Sequence, residues 1–168
     1  MTRASYSPHD VREVANFVLQ RSFDQKITVT NLSLNKILYF LHAAFLQELD
    51  RPLIGAKIEA WNHGPVYREI YHQFKRFGSN RIVELARKLD PNTGRYEIVR
   101  TGFNESERRF LDARCDELLR ISAGKLVDMA HISDGPWHRA RYNDGSVNPG
   151  VEITNEMIRD PLEIESRH

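Results

Sequence analysis

The chain has 168 residues, of which 40% are hydrophobic and 28% are charged, and 24 basic against 23 acidic residues give a formal net charge of +1. This balance argues against a protein that binds nucleic acid mainly through electrostatics, since such proteins carry a basic excess. The length predicts a single domain, residues 1–168, with enough buried surface to fold without disulfides or a structural metal.

The chain carries neither a secretory nor a membrane-spanning signal. Its lone cysteine, Cys115, cannot form an internal disulfide, which favours a reducing compartment. The first residues, 1–7, lack the apolar core of a signal peptide, and no run approaches about 18 apolar residues. We therefore expect a cytoplasmic protein without membrane contacts.

Two helices are predicted first along the chain. Ser7 is predicted to cap the first, with Pro8 in its first turn. Thr30 or Asn31 can cap the second, at roughly 32–48. Apolar residues cover nearly all faces of this second helix, which is typical of a central, buried helix.

A strand-to-helix corner is predicted next. Residues 54–61 alternate as a short strand, and a third helix is expected at about 65–76. Gly64 allows a sharp turn, and Pro65 fixes φ at the first helical position. Both Trp61 and His63 would then lie at the corner.

The second half of the chain has weaker signals. Residues 81–89 fit either a helix or a strand, and Tyr96–Val99 reads as a strand that is a candidate partner of the 54–61 strand. Later helices are predicted from Asn104, Ser122, Pro136 and Thr154 onward, by cap residues and helical spacing. Loops are expected at 143–145 and 148–150, and the tail after about residue 160 should be frayed. The predicted fold is mostly α, a helical domain around a buried central helix with a small antiparallel β element.

The histidines and the cysteine do not form a recognisable catalytic or metal motif. No His-Glu-x-x-His or Cys-x-x-Cys spacing occurs among the seven histidines and one cysteine. Cys115 lies on an apolar helical stripe, where a free cysteine usually acts as a small hydrophobe. We predict no metal, no cofactor, no catalytic residue and no enzymatic activity. A small hydrolase using histidines with Asp134 or Glu59 is the weaker alternative.

A basic stretch at residues 68–88 supports a second alternative. Six cations are interleaved there with aromatic residues: Arg68, Lys75, Arg76, Arg81, Arg87 and Lys88. Such a pattern is compatible with a nucleic-acid-binding regulator. A solvated helix face with core aromatics explains the same spacing, and it is the interpretation we favour for the aromatics.

The two tryptophans are candidate anchors for a partner. Trp61 and Trp137 each lie beside a Pro or Gly-Pro junction. Trp and Tyr provide a large contact area with little loss of rotamer entropy, so they are enriched in interface hot spots. A ring at such a corner can equally belong to the core, and the sequence leaves both possibilities open.

Several of these segments together resemble a known family. They are Leu34–Phe40, Leu53-Ile54, Glu59–Trp61, His63–Tyr67, Pro136-Trp137 and Ile153–Asn155. In this order they resemble the Panacea domain family of SocA-type antitoxins, over roughly residues 8–160. The stretch from Gly78 to Thr101 carries nothing that contributes to the resemblance.

The resemblance implies a mostly helical antitoxin from a bacterial, phage or prophage-associated toxin–antitoxin pair. Members neutralise a toxin encoded beside them by direct binding, and some are thought to deliver it to a AAA+ protease as adaptors. We expect the toxin to bind at the corner, with Trp61 and Tyr67 as anchors, His63 as a polar contact and Arg68 and Arg76 as rim charges. The full candidate surface is Trp61, His63, Gly64, Pro65, Val66, Tyr67, Arg68, Tyr71 and Trp137.

Overall fold

The computed structural model describes residues 6–142 and 150–159, and most of these residues are helical. The α-helices are α1 (Val11–Gln25), α2 (Asn31–Leu49), α3 (Arg68–Phe74), α4 (Glu105–Leu119), α5 (Ala123–Ala130), α6 (Pro136–Arg141) and α7 (Asn155–Arg159). A 3₁₀ turn, Lys75–Phe77, continues α3. The predicted loop at 143–145, the first two residues of the loop at 148–150 and the predicted frayed tail lie outside the described residues.

Helix α2 is the centre of the fold, as predicted. It packs against α1, α3, α4, α5, α7 and strand β2 (Gly64–Val66). Leu34, Leu38 and Leu41 are completely buried on it. Burying each such side chain contributes about 1.5–3 kcal/mol, so this one helix supplies a large share of the hydrophobic stabilisation. Thr30 caps it in a reciprocal pair with Ser33.

Two small antiparallel sheets accompany the helices. The first has three strands, β1 (Ile58–Trp61), β2 (Gly64–Val66) and β5 (Glu152–Ile153), in the order β2-β1-β5. The second is a hairpin of β3 (Arg87–Asp90) and β4 (Arg95–Ile98). Strand β4 was a candidate partner of β1, and this pairing is wrong. The turn after Asp90 brings β4 back onto β3, with Gly94 N donating to Asp90 O over 2.8 Å.

The predicted strand-to-helix corner is also wrong. Gly64–Val66 forms a strand, so that Trp61 pairs with Gly64 and Ala60 with Pro65 in a β-hairpin whose turn is Asn62-His63. Proline tolerates this position because β2 is an edge strand and its missing N–H leaves no ladder partner unsatisfied. Helix α3 begins only at Arg68.

The start of the first helix differs from the prediction as well. Asp10, not Ser7, is the N-cap, and its side chain accepts from Arg12 N. The preceding residues are held extended, because His9 N donates to Leu53 O over 2.8 Å and Gly55 N donates to His9 O over 3.0 Å. Pairing with a distant segment therefore overrides the local Ser-Pro signal.

The three later helix caps and the burial of the cysteine are confirmed. Asn104 and Glu107 form the capping box of α4. Ser122 caps α5, and Thr154 Oγ1 accepts from Met157 N at the start of α7. Cys115 is completely buried, as predicted.

Candidate functional site

The β1–β2 hairpin is fixed from the side of α5 and α6. Trp137 Nε1 donates to Trp61 O over 2.7 Å, and Arg141 Nη1 donates to Ala60 O over 3.1 Å. Arg141 also reaches the turn itself, where Nη2 donates to Asn62 Oδ1 over 2.6 Å. These bonds satisfy backbone and side-chain acceptors of the hairpin and hold its turn in one position.

A stripe of polar residues on α2 holds the hairpin from the other side. Asn35 Oδ1 accepts from Tyr67 N at 2.9 Å, and Asn31 Nδ2 donates to Tyr71 O over 3.0 Å. Lys36 Nζ donates to Pro65 O over 3.0 Å. The apolar pattern of α2 does not predict the role of these polar residues. Their signal is polarity inside a buried helix, since buried polar groups require partners.

Lys36 and Gly64 lie in direct contact beneath the hairpin. Lys36 is 0% exposed, and burial lowers the pKa of its ammonium from 10.5 to about 8. Gly64 has φ +112°, and a Cβ added there would lie 2.7 Å from Lys36 Cε. The backbone conformation therefore favours glycine at position 64, and any Cβ there would also force the end of the Lys36 side chain to move.

A cleft of about 410 Å³ opens between the hairpin and the first turn of α2, and we call it the Trp61 pocket. Trp61 and Tyr71 meet edge to face on one side of it, with ring centroids 4.8 Å apart. Trp61 Nε1 donates to Glu59 Oε2 over 2.6 Å, which orients the indole. The described lining residues are Asn31, Leu32, Asn35, Lys36, Trp61, Asn62, His63, Val66, Tyr71, Lys75, Gly78 and Ser79.

Only part of the predicted surface faces the solvent. His63 and Arg68 are exposed, and Trp61 and Tyr71 are half-buried. Buried members of the predicted set are Gly64, Pro65, Val66, Tyr67 and Trp137.

The buried aromatics support the hairpin from inside. Tyr67 is 0% exposed and Trp137 is 5% exposed. Trp137 also contacts His131, with the two rings tilted and their centroids 4.0 Å apart, besides its bond to Trp61 O. The expected anchor role of Tyr67 does not fit this burial, because its side chain has no surface to offer. Trp137 is a core residue, which resolves the alternative that the sequence left open.

Half of the cations in the basic stretch are paired with acids. Arg68 contacts Glu59, with an Nη2–Oε1 distance of 3.2 Å, and Lys88 contacts Asp10 over 2.9 Å. Arg76 pairs with Glu84. These pairs reduce the positive potential that a phosphate backbone would meet.

The described part of the chain shows neither a metal-binding cluster nor a membrane-spanning helix. Within residues 6–142 and 150–159, no three His, Cys, Asp or Glu side chains are grouped so that they could hold a metal ion. None of the helices in that part of the chain has the length and apolarity needed to cross a membrane.

Comparison with known families decides the affiliation of the chain. Residues 34–138 match the profile of the family described as "Antitoxin SocA-like, Panacea domain". The chain belongs to this family. The matched residues run from α2 into α6, and so they include the whole hairpin, Lys36 and Trp137. They also include the stretch 78–101, which contributes none of the motifs that carry the resemblance.

A curated relative agrees with the family match. The chain is 34% identical over 152 residues to "Antitoxin SocA" of Caulobacter vibrioides (strain NA1000 / CB15N), covering 90% of this chain and 81% of that protein. No solved structure matches significantly. The expected family and the mostly α fold are both confirmed.

Proposed function

We propose that this protein is an antitoxin that neutralises a toxin encoded nearby by binding it directly at the hairpin surface. The observation that carries the proposal is the half-buried Trp61, held at the edge of a rigid hairpin in a SocA-like chain. The surface that we assign consists of Trp61, His63, Arg68 and Tyr71. The buried residues Gly64, Pro65, Val66, Tyr67 and Trp137 give it its shape.

The physical support for this surface is its preorganisation. The backbone around Trp61 is bonded to α6, while the segment after the turn is bonded to α2. A partner that binds here loses little free energy to ordering the hairpin, because the contacts are already in place. An aromatic side chain on such a scaffold adds apolar contact area at low entropic cost.

This role requires no catalytic residue, no metal and no cofactor, and it places the protein in the cytoplasm with its toxin. Some SocA-type antitoxins are thought to deliver the toxin to a AAA+ protease, and we extend this adaptor role to the chain on the resemblance alone. It predicts that the toxin's half-life in cells shortens when this protein is present, and an unchanged half-life would contradict it.

The test of neutralisation is co-expression with the product of the neighbouring reading frame. We expect that product to be toxic alone, and we expect this protein to restore growth and to co-purify with it. Trp61→Ala should lose at least about 2 kcal/mol of binding, which is typical of a hot-spot tryptophan and corresponds to roughly thirtyfold weaker binding.

The matched control is Tyr96→Ala, which removes an exposed aromatic from the other hairpin, where Tyr96 is 67% exposed. It should still restore growth. Circular dichroism and thermal melting must show that Trp61→Ala remains folded. Full rescue by folded Trp61→Ala would refute the assigned surface, and unfolding would place Trp61 in the core. A harmless neighbour that does not bind would refute the antitoxin role itself.

A further inference from the structure

The Trp61 pocket combines an apolar wall with lysine side chains. Its wall is largely apolar, formed by Leu32, Val66, Trp61 and Tyr71. Leu32 is 40% exposed although it lies in the first turn of the central helix. An exposed leucine facing two half-buried aromatics across a cleft provides space for an apolar group.

The charged side chains that line this pocket are lysines. They are the buried Lys36 and the exposed Lys75. Among the described lining residues there is no aspartate or glutamate. A carboxylate inside the pocket would therefore meet the two lysines, while the acid behind Trp61, Glu59, is already bonded to Trp61 Nε1 and paired with Arg68.

Lys36 is under-partnered for a buried ammonium. An ammonium offers three N–H donors. Within the described part of the chain, Lys36 Nζ donates to Pro65 O. No described carboxylate lies within ion-pair distance of Lys36. Its charge therefore adds positive potential to the pocket wall, although the side chain itself is 0% exposed.

We propose that the Trp61 pocket receives an acidic, apolar segment of the partner toxin, with a carboxylate of that segment at the exposed Lys75, attracted also by the positive potential of the buried Lys36, and an apolar side chain beside Leu32 and Trp61. The identity of the partner rests on the proposed function. The chemistry of the occupant rests on the pocket itself, through its apolar wall and its cationic side chains. An ion pair formed in this partly desolvated wall is stronger than one in open water.

The first test needs neither the toxin nor a variant. The probes are 3-phenylpropionate and its neutral amide, 3-phenylpropionamide, titrated into the ¹⁵N-labelled protein. The indole N–H resonance of Trp61 reports on the pocket, and that of buried Trp137 is the internal control. We expect the acid to shift the Trp61 signal saturably. We expect the amide to bind at least about tenfold more weakly than the acid. Equal binding of acid and amide, or no binding of either, would overturn the proposal.

Variants then assign the preference to the lysines. Lys36→Met keeps the length of the side chain and should weaken the preference for the acid. Lys75→Gln should weaken it, and this variant serves if Lys36→Met does not fold. Lys57→Met, at an exposed lysine outside the pocket, is the matched control and should bind the acid like the wild type. Unchanged preference in both pocket variants would overturn the role of the cations.

The last arm asks whether the toxin is the occupant. The toxin identified by co-expression is bound first, and the acid is then titrated into the complex. We expect the complex to exclude the acid. A complex that restores growth but still binds the acid at Trp61 would overturn this inference and leave the antitoxin role intact. If no neighbouring product binds, the proposed function fails instead, whatever the acid does.

Discussion

The buried Lys36 predicts an unusual dependence of stability on pH. Burial lowers the pKa of Lys36 from 10.5 to about 8 in the folded protein. Between these two values the folded protein has released the proton, whereas the unfolded chain still holds it. The unfolded state then binds more protons, so the free energy of unfolding rises with pH in this window.

The size of the effect follows from the two pKa values. Within the window the contribution of Lys36 grows by up to about 1.4 kcal/mol per pH unit. Between pH 7 and pH 9.5 it amounts to about 2 kcal/mol in favour of the folded state. Other groups titrate nearby: burial raises the pKa of Cys115 to about 12, which lowers stability above the ordinary pKa of a thiol. The effect of Lys36 must therefore be read as a difference between two proteins.

The assay is urea unfolding at pH 7, 8, 9 and 9.5 for the wild type and for Lys36→Met, in which the charge cannot form. Loss of the bond to Pro65 O shifts the variant's stability by a roughly constant amount. The wild type should gain about 2 kcal/mol relative to the variant across this range, with Lys57→Met as the control for the loss of one charge. A difference that stays constant within about 0.5 kcal/mol would refute the reasoning, because Lys36 would then carry an ordinary pKa in the folded state.

Three further predictions concern residues around the same core. Gly64→Ala should cost about 2 kcal/mol or more in urea unfolding, since it adds backbone strain and a Cβ 2.7 Å from Lys36 Cε. Gly78→Ala, with φ +57° and open space, should cost only about 1 kcal/mol, and equal costs would contradict the role of the contact. Tyr67→Phe should be neutral or should stabilise by about 1 kcal/mol in the same assay, because the buried Tyr67 hydroxyl has no partner among the described residues; a clear loss would reveal one. Cys115 should react with a disulfide reagent at pH 8 only when urea unfolds the chain, since the thiol is buried and its pKa is raised to about 12; rapid labelling of the folded protein would contradict this.

The features that the sequence predicted correctly are those encoded locally. Helix α2 is predicted correctly because apolar residues cover most of its faces, and a helix with that pattern is stable when most of its surface is buried. The caps at Asn104, Ser122 and Thr154 were recognised because a cap residue bonds to backbone a few positions ahead. Cys115 was placed in the core by its position on an apolar stripe.

The errors occur where distant segments decide the backbone. Gly64-Pro65 has the local signature of a helix start, yet it forms an edge strand. The hairpin is fixed by Trp137, 76 positions from Trp61 in the sequence, and by Asn35, 32 positions from Tyr67. Such contacts cannot be predicted from neighbouring residues. Their combined energy exceeds the preference of a single proline for a helical first turn.

Two of the stretches that carry the family resemblance form one structural unit. Lys36 and Asn35 of the α2 stretch bond to Pro65 and Tyr67 of the hairpin stretch, and Gly64 leaves the space that Lys36 fills. These residues are buried and contact one another. The motifs that carry the resemblance are therefore the ones that hold the hairpin in place. The side chains that remain available to a partner are at its edge: Leu32, Trp61, His63, Arg68 and Lys75. Preference for one toxin over another should therefore depend on these edge residues, and exchanging them should change the partner without unfolding the hairpin.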